Sequence, residues 1–198
     1  GIDIDLQLYG EYLMKGKSGS IVAIEPSSGE ILSLVSGPSY DPTLLTGKSY
    51  STNFKLINSD SLKPLFNRPL MAQYRPGSIF KIAQAMAALQ EKVITPETRI
   101  RCDRSIINCH GAHSNEDLRG AIANSCNPYF HNVLRRMLNQ GASEDPFKDT
   151  RIGLAEWDKH IMSFGFGGPL GIDLPNEKSG LIPTPAYYDR AYRNRPWK

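Results

Sequence analysis

At 198 residues, with 40% hydrophobic and 22% charged side chains, the chain can bury a core as one domain, and its ordinary composition excludes intrinsic disorder, collagen and a disulfide-dense miniprotein. A formal net charge of +3 is too mild to imply nucleic acid or an anionic membrane surface as partner. No apolar run spans a bilayer and no signal peptide opens the sequence; it begins Gly1-Ile2-Asp3 without a Met and reads as a piece excised from a longer protein, so absent targeting signals say little about the parent.

Leu6, Tyr9, Leu13 and Met14 recur at helical spacing and predict a short helix over 5–14. The β-branched runs 20–25 and 30–35 flank Pro26-Ser-Ser-Gly29 and predict a β-hairpin. Residues 37–55 are rich in Gly, Pro, Ser and Thr and read as loop, and the loop region is taken to continue to 77. The Ala-rich run 78–92 predicts a strong helix with Ile82, Ala85, Met86 and Leu89 on one face, stopped by Thr95-Pro96. A second helix is expected from Ser114 or Asn115, with Glu116 and Asp117 in its first turn, to about Asn124. A third follows Pro128 through Leu138 and ends at Gly141; a fourth covers 154–164. The Gly- and Pro-rich remainder, 165–198, ends in a basic segment that reads as a solvated face. Trp157, Phe164 and Phe166 read as core, His131 and His160 as structural.

Three places carry chemistry. Ser78 and Lys81 sit three apart at a helix start, so hydroxyl and ammonium share a face. A serine becomes a nucleophile only when a neighbour takes its proton, and a lysine does so when burial or the positive end of a helix lowers its pKa. Ser125-Cys126-Asn127 lies at a helix junction closed by Pro128, where a hydroxyl can relay a proton and the Asn side chain can bind a substrate amide. Each short pattern alone is as readily a cap or a loop. Cys102, Cys109, His113 and Cys126 supply three thiols and an imidazole, a recognised structural zinc set, with His110 as a competing ligand. Such a site would tie the loop after the first strong helix to Cys126 and hold Ser125 and Asn127 from behind. A Cys102–Cys109 disulfide with Cys126 buried is the other reading, and both stay open.

Tyr74-Arg-Pro-Gly-Ser-Ile-Phe-Lys81 and Ala121-Ile-Ala-Asn-Ser-Cys-Asn-Pro-Tyr-Phe130 resemble the first two active-site boxes of the penicilloyl-serine transferases. In the same order, 19–36 with Pro38-Ser-Tyr-Asp-Pro42 resembles that family's first hairpin and following loop. Phe164–Lys178 resembles the Gly-rich stretch of class B penicillin-binding proteins, and Asp5-Leu-Gln7 the helix opening the domain. Nearly the whole chain is covered, and the likeness is greatest to the transpeptidase domain of the cell-elongation branch.

The resemblance implies an α+β, β-lactamase/transpeptidase-like fold present in part. Residues 1–198 would form an incomplete transpeptidase domain: helix and hairpin (1–36), loop region (37–77), helical part with both boxes (78–164) and Gly/Pro-rich segment (165–198). It further implies that Ser78 attacks the penultimate D-alanine carbonyl of a peptidoglycan stem peptide with Lys81 as general base. Ser125 passes the proton to the leaving amine, Asn127 holds the substrate amide, and β-lactams acylate Ser78. No cofactor is implied for catalysis. The parent would sit at the periplasmic face of the bacterial inner membrane, anchored by a helix absent here, among elongation-complex membrane proteins.

The family's third box, Lys-Thr-Gly or Lys-Ser-Gly on a late strand, gives one oxyanion donor and a cation. Lys17-Ser18-Gly19 precedes the nucleophile and Lys178-Ser179-Gly180 lacks a strand pattern, so a C-terminal truncation is expected. With it come missing sheet strands, exposed apolar surface that invites dimerisation through the open sheet edge, and weak or absent catalysis by this chain. A serine β-lactamase or β-lactam sensor fits less well: the deacylating Glu-x-x-Leu-Asn pattern is absent, and Asn127 stands where class D enzymes and sensors carry Val. A non-catalytic interaction module is the remaining alternative.

Overall fold

The computed structural model describes residues 1–111, 113–193 and 195–197. They form an α+β architecture divided into two compact units, residues 1–74 with 172–178, and residues 75–171 with 179–198.

In the first unit, helix α1 (Ile4–Leu13) starts at Asp3, whose carboxylate accepts from Leu6 N–H at 3.0 Å. Strands β1 (Gly19–Ile24) and β2 (Ile31–Gly37) pair antiparallel, Gly19 opposite Gly37 and Ile24 opposite Ile31. Helix α1 lies on β2 and buries only Gly10, where a Cβ would stand 2.8 Å from Val35 Cγ2. Gln7 completes the attachment: its amide nitrogen donates to Leu34 O and its amide oxygen accepts from Leu34 N–H, at 3.2 and 2.8 Å. The apolar exposure expected of a hairpin with few strand neighbours is present at Val22 and Ile24 of β1 and at Ile4, Leu8 and Tyr12 of α1.

The segment read as loop is more ordered than its composition suggests. Helix α2 (Tyr50–Ser59) crosses it, with Tyr50 and Phe54 stacked at 5.9 Å and Ile57 buried. Those three stand at positions i, i+4 and i+7, a helical stripe hidden among Ser, Thr and Asn. The short helix α3 (Arg68–Met71) follows. Its buried Arg68 guanidinium donates to the carbonyls of Leu62, Lys63 and Phe66, so the turn before it closes around a satisfied charge. Lys178-Ser179-Gly180 lies in irregular backbone, and Lys178 N–H donates to Leu70 O.

The second unit holds the main core. A 3-10 turn, Gly77–Ile79, leads into α4 (Phe80–Gln90). Strands β3 (Ile100–Arg101) and β4 (Asn115–Glu116) form a short antiparallel pair. Helices α5 (Leu118–Ala123), α6 (Asn127–Leu138), α7 (Pro146–Ser163) and α8 (Pro185–Ala191) complete it. Tyr129, Val133, Met137 and Ile161 are fully buried at its centre.

Five expectations change here. The buried face of α4 is Gln84, Ala85, Ala87 and Ala88, whereas Ile82 and Met86 are half exposed. Small side chains let α4 approach α5, α6 and α7 closely, and Gln84 is tolerated because its amide donates to Phe130 O at 2.8 Å. The helix expected from residue 114 starts at Leu118. Asn115 and Glu116 pair with β3 instead, and Asp117 is the cap, accepting from Gly120 N–H. Helix α7 begins eight residues before the expected 154, because Asp145 caps it and Pro146 takes its first turn. Phe164 and Phe166 are substantially exposed, whereas Trp157 is buried as expected. The basic terminus is not wholly solvated: Trp197 is buried, and its indole N–H donates to Asp189, which also pairs with Arg151; Asn194 and Lys198 of that segment lie outside the described residues.

Candidate active site

Ser78 lies in the 3-10 turn, exposed, one residue after Gly77, whose φ of +63° a side chain would strain. The turn aims the chain into α4, and Lys81 follows in the helix's first turn, half-buried.

The other half of the site comes from the end of α5. Ser125 N–H donates to Ile122 O, Cys126 N–H to Ala121 O, and Ser125 itself takes φ +50°. This is a Schellman ending, whose left-handed position favours glycine. A serine there holds a conformation costing on the order of 1–2 kcal/mol. The bend that follows starts α6 at Asn127, so Ser125 and Asn127 both turn toward Lys81.

Lys81 Nζ donates to Ser125 Oγ at 2.9 Å, to Ser125 O at 2.7 Å and to Asn127 Oδ1 at 2.6 Å. Ser125 Oγ donates to Ser78 Oγ at 2.8 Å. Ammonium, relay hydroxyl and exposed hydroxyl thus form one hydrogen-bonded line. All four residues singled out from sequence, Ser78, Lys81, Ser125 and Asn127, meet, with the contact between Lys81 and Ser78 running through Ser125. Burial lowers the Lys81 pKa, and the Cys109 and Cys126 sulfurs oppose that shift. Lys81 Nζ also stands 5.6 Å from the Phe130 ring centre.

Two groups support Asn127, of which Asn108 carries no sequence signal while Cys109 belongs to the Cys/His set. Asn127 Nδ2 donates to the carbonyl of Asn108 at 2.9 Å, and Asn127 N–H donates to Cys109 Sγ at 3.4 Å. Both acceptors belong to the loop between β3 and β4, so only the fold brings them to Asn127.

The donor atoms of Cys102, Cys109, His113 and Cys126 lie within 4.8 Å of one another, and Cys109 Sγ is 3.4 Å from His113 Nε2. Tetrahedral zinc with ordinary bond lengths needs donor separations of roughly 3.5–3.8 Å, so the set fits one ion with small movements. All three cysteines are free thiols. Burial pushes the Cys126 thiol up to about 12. Burial also pushes Cys109 up, but hydrogen bonds from Asn127 N–H and with the Cys102 and Cys126 thiols bring it below its usual range.

A serine on a helix start, wired through a second serine to a half-buried lysine, is an arrangement that can support nucleophilic acyl transfer. Residues 19–194 match the family described as the penicillin binding protein transpeptidase domain, and the chain belongs to that family.

The chain is 32% identical, over 206 aligned positions covering 99% of it and 29% of the relative, to the peptidoglycan D,D-transpeptidase MrdA of Haemophilus influenzae. It thus spans under a third of that relative's length. Among solved structures, it resembles penicillin-binding protein PBP2 of Helicobacter pylori in a complex with MreC, with TM-score 0.81 and 25% identity over 100% of this chain and 36% of that one. It also resembles the penicillin G acyl-enzyme of penicillin-binding protein A from M. tuberculosis, with TM-score 0.70 and 27% identity over 94% of this chain and 45% of that one.

Proposed function

We propose that the chain is the nucleophile-bearing part of a serine peptidoglycan D,D-transpeptidase of the elongation type. The observation that carries this reading is the hydrogen-bonded line from Lys81 through Ser125 to Ser78.

The line works in reverse of its resting donation. Neutral Lys81 accepts a proton through Ser125 as Ser78 Oγ attacks the penultimate D-alanine carbonyl of a stem peptide. Lowering the lysine pKa by burial makes its neutral form cheaper to reach. The same proton returns through Ser125 to the leaving D-alanine amine. Asn127, held by Asn108 and Cys109, presents its amide to the substrate and fixes Lys81. The amine of a neighbouring stem then resolves the acyl-enzyme and forms the cross-link. β-Lactams enter the first step and leave Ser78 acylated, a reading supported by the penicillin G acyl-enzyme of a similar protein.

Among the described residues, Lys17-Ser18-Gly19 precedes the nucleophile in the chain and Lys178-Ser179-Gly180 lies in irregular backbone, so this chain alone is expected to acylate slowly. Loss of one oxyanion donor costs on the order of 10²–10³ in rate. The likeness to a PBP2 solved with MreC supports elongation-complex partners for the whole protein; placement at the periplasmic face of the inner membrane is part of the proposal, since peptidoglycan stem peptides are its substrate. Among the described residues, no helix is long and apolar enough to cross a membrane.

Cys102, Cys109, His113 and Cys126 are proposed to hold a structural zinc, which would fix the loop that supports Asn127 and enters no step of the reaction. Metal analysis of freshly purified protein should find one zinc per chain; none would contradict the assignment.

The nucleophile is tested by incubating the chain with benzylpenicillin, measuring intact mass and mapping the adduct. One slowly formed adduct on Ser78 is expected. An adduct on another residue, or none after prolonged incubation, contradicts the reading.

A further inference from the structure

The loop between β3 and β4 performs two tasks with the same atoms. It supplies Cys102, Cys109 and His113 to the donor cluster, and it supplies Asn108 O and Cys109 Sγ to Asn127. Anything that rearranges the thiols therefore rearranges the support of Asn127, which in turn accepts from Lys81.

The thiols differ in access. Cys126 is fully buried, whereas Cys102 and Cys109 are half-buried. A small oxidant therefore reaches the loop pair and not the third thiol. Their sulfurs lie within 4.8 Å, and a disulfide requires about 2.0 Å. Closing that bond draws the loop together by up to roughly 3 Å. Movement of the Cys109 side of the loop in that closure strains the bonds of 2.9 and 3.4 Å that Asn127 makes to Asn108 O and Cys109 Sγ. The disulfide also takes away two of four donors, and the remaining imidazole and one thiol do not make a closed zinc site.

We infer that the thiol cluster is a redox switch on the acylation site: oxidation of Cys102 and Cys109 to a disulfide releases the metal and unseats Asn127, and reduction restores both. The inference rests on the Ser78 and zinc readings above. The oxidant is a small-molecule or protein disulfide. The Cys109 thiolate attacks one of its sulfurs and expels the other as a thiolate; the Cys102 thiolate then attacks Cys109 Sγ and expels the second. One S–S bond forms and one breaks. Two electrons pass from the cysteine pair to the oxidant, whose two thiolates take up protons from solvent, and the metal leaves as the divalent ion.

The experiment uses the reduced chain loaded with zinc and treated with oxidised glutathione. Four readouts are taken: peptide mapping of disulfides, zinc release to a chromogenic chelator, amide hydrogen exchange of the peptide 118–130, and labelling of Ser78 by a fluorescent penicillin. The expected result is a Cys102–Cys109 bond, loss of zinc, exchange at 118–130 faster by at least tenfold, and labelling slowed by at least tenfold. Reductant plus zinc should restore all four. In Cys102→Ala, which lacks one of the four donors, the oxidant should form no internal disulfide and should not change exchange at 118–130 relative to the same variant untreated. Mixed disulfides with glutathione alone, or an internal bond without faster exchange, would overturn the switch. Failure of the reduced chain to label at Ser78 would count against the nucleophile assignment, and failure to bind zinc against the metal, while disulfide mapping and exchange still decide the switch.

Discussion

Helices α4 and α5 end in the same way. At the end of α4, Lys92 N–H donates to Leu89 O and Val93 N–H to Ala88 O, with Lys92 at φ +56°. At the end of α5, Ser125 and Cys126 repeat the pattern, with Ser125 at φ +50°. Both put a side-chain-bearing residue where glycine is favoured. They differ in what that side chain meets: Lys92 is exposed, whereas the Ser125 hydroxyl joins Lys81 to Ser78. A positive φ is therefore not by itself a mark of function. It becomes one, on the proposed mechanism, where the strained residue carries the atom that completes the proton path.

The comparison can be tested at four points. Lys81→Met removes the terminus of the line that Ser125 serves; acylation should fall by about 10³-fold or more, read as the rate of penicillin labelling. A variant still labelled at a near-parental rate would break the relay. Ser125→Ala keeps the strained backbone and loses only the hydroxyl. Labelling should drop on the order of 10²-fold, with unfolding free energy unchanged within about 0.5 kcal/mol. If stability changes and labelling does not, the hydroxyl is structural.

Ser125→Gly removes hydroxyl and strain together. The same loss of labelling is expected, now with a gain of about 1 kcal/mol, or roughly 2–4 °C in Tm for a chain of this size. Lys92→Gly sharpens the contrast, since it relieves the same strain where nothing chemical depends on it. Denaturant unfolding should show a gain of about 0.5–1 kcal/mol, and labelling should keep its parental rate. A loss of labelling there would mean that the two ends are not independent.

Much of the site was legible before the fold. Ser78 and Lys81 at helix spacing, and Ser125 and Asn127 before Pro128, carry their patterns in the chain itself. Support of Asn127 by the cysteine loop is legible from the Cys/His set, but the Asn108 carbonyl is not, because a backbone acceptor depends on where the β3–β4 loop lies. Among the elements, the hairpin and α6 follow from local chemistry. Helix α2 is hidden because polar residues mask Tyr50, Phe54 and Ile57, and only the first two turns of α7 fall outside its expected range, because apolar periodicity is weak there and the Asp145-Pro146 start carries the signal instead. The face of α4 was misread for a different reason. Periodicity favours the largest apolar residues, but close helix packing selects Ala85, Ala87 and Ala88 and leaves Ile82 and Met86 outside.

The central claim is that the α5 end keeps a serine in a glycine conformation for the sake of its hydroxyl. The most direct measurement pairs the rate of Ser78 labelling by benzylpenicillin with the Tm of Ser125→Gly, both relative to the parent chain. The account predicts a more stable protein that labels at least about 100-fold more slowly. A more stable protein that labels at the parental rate would contradict it.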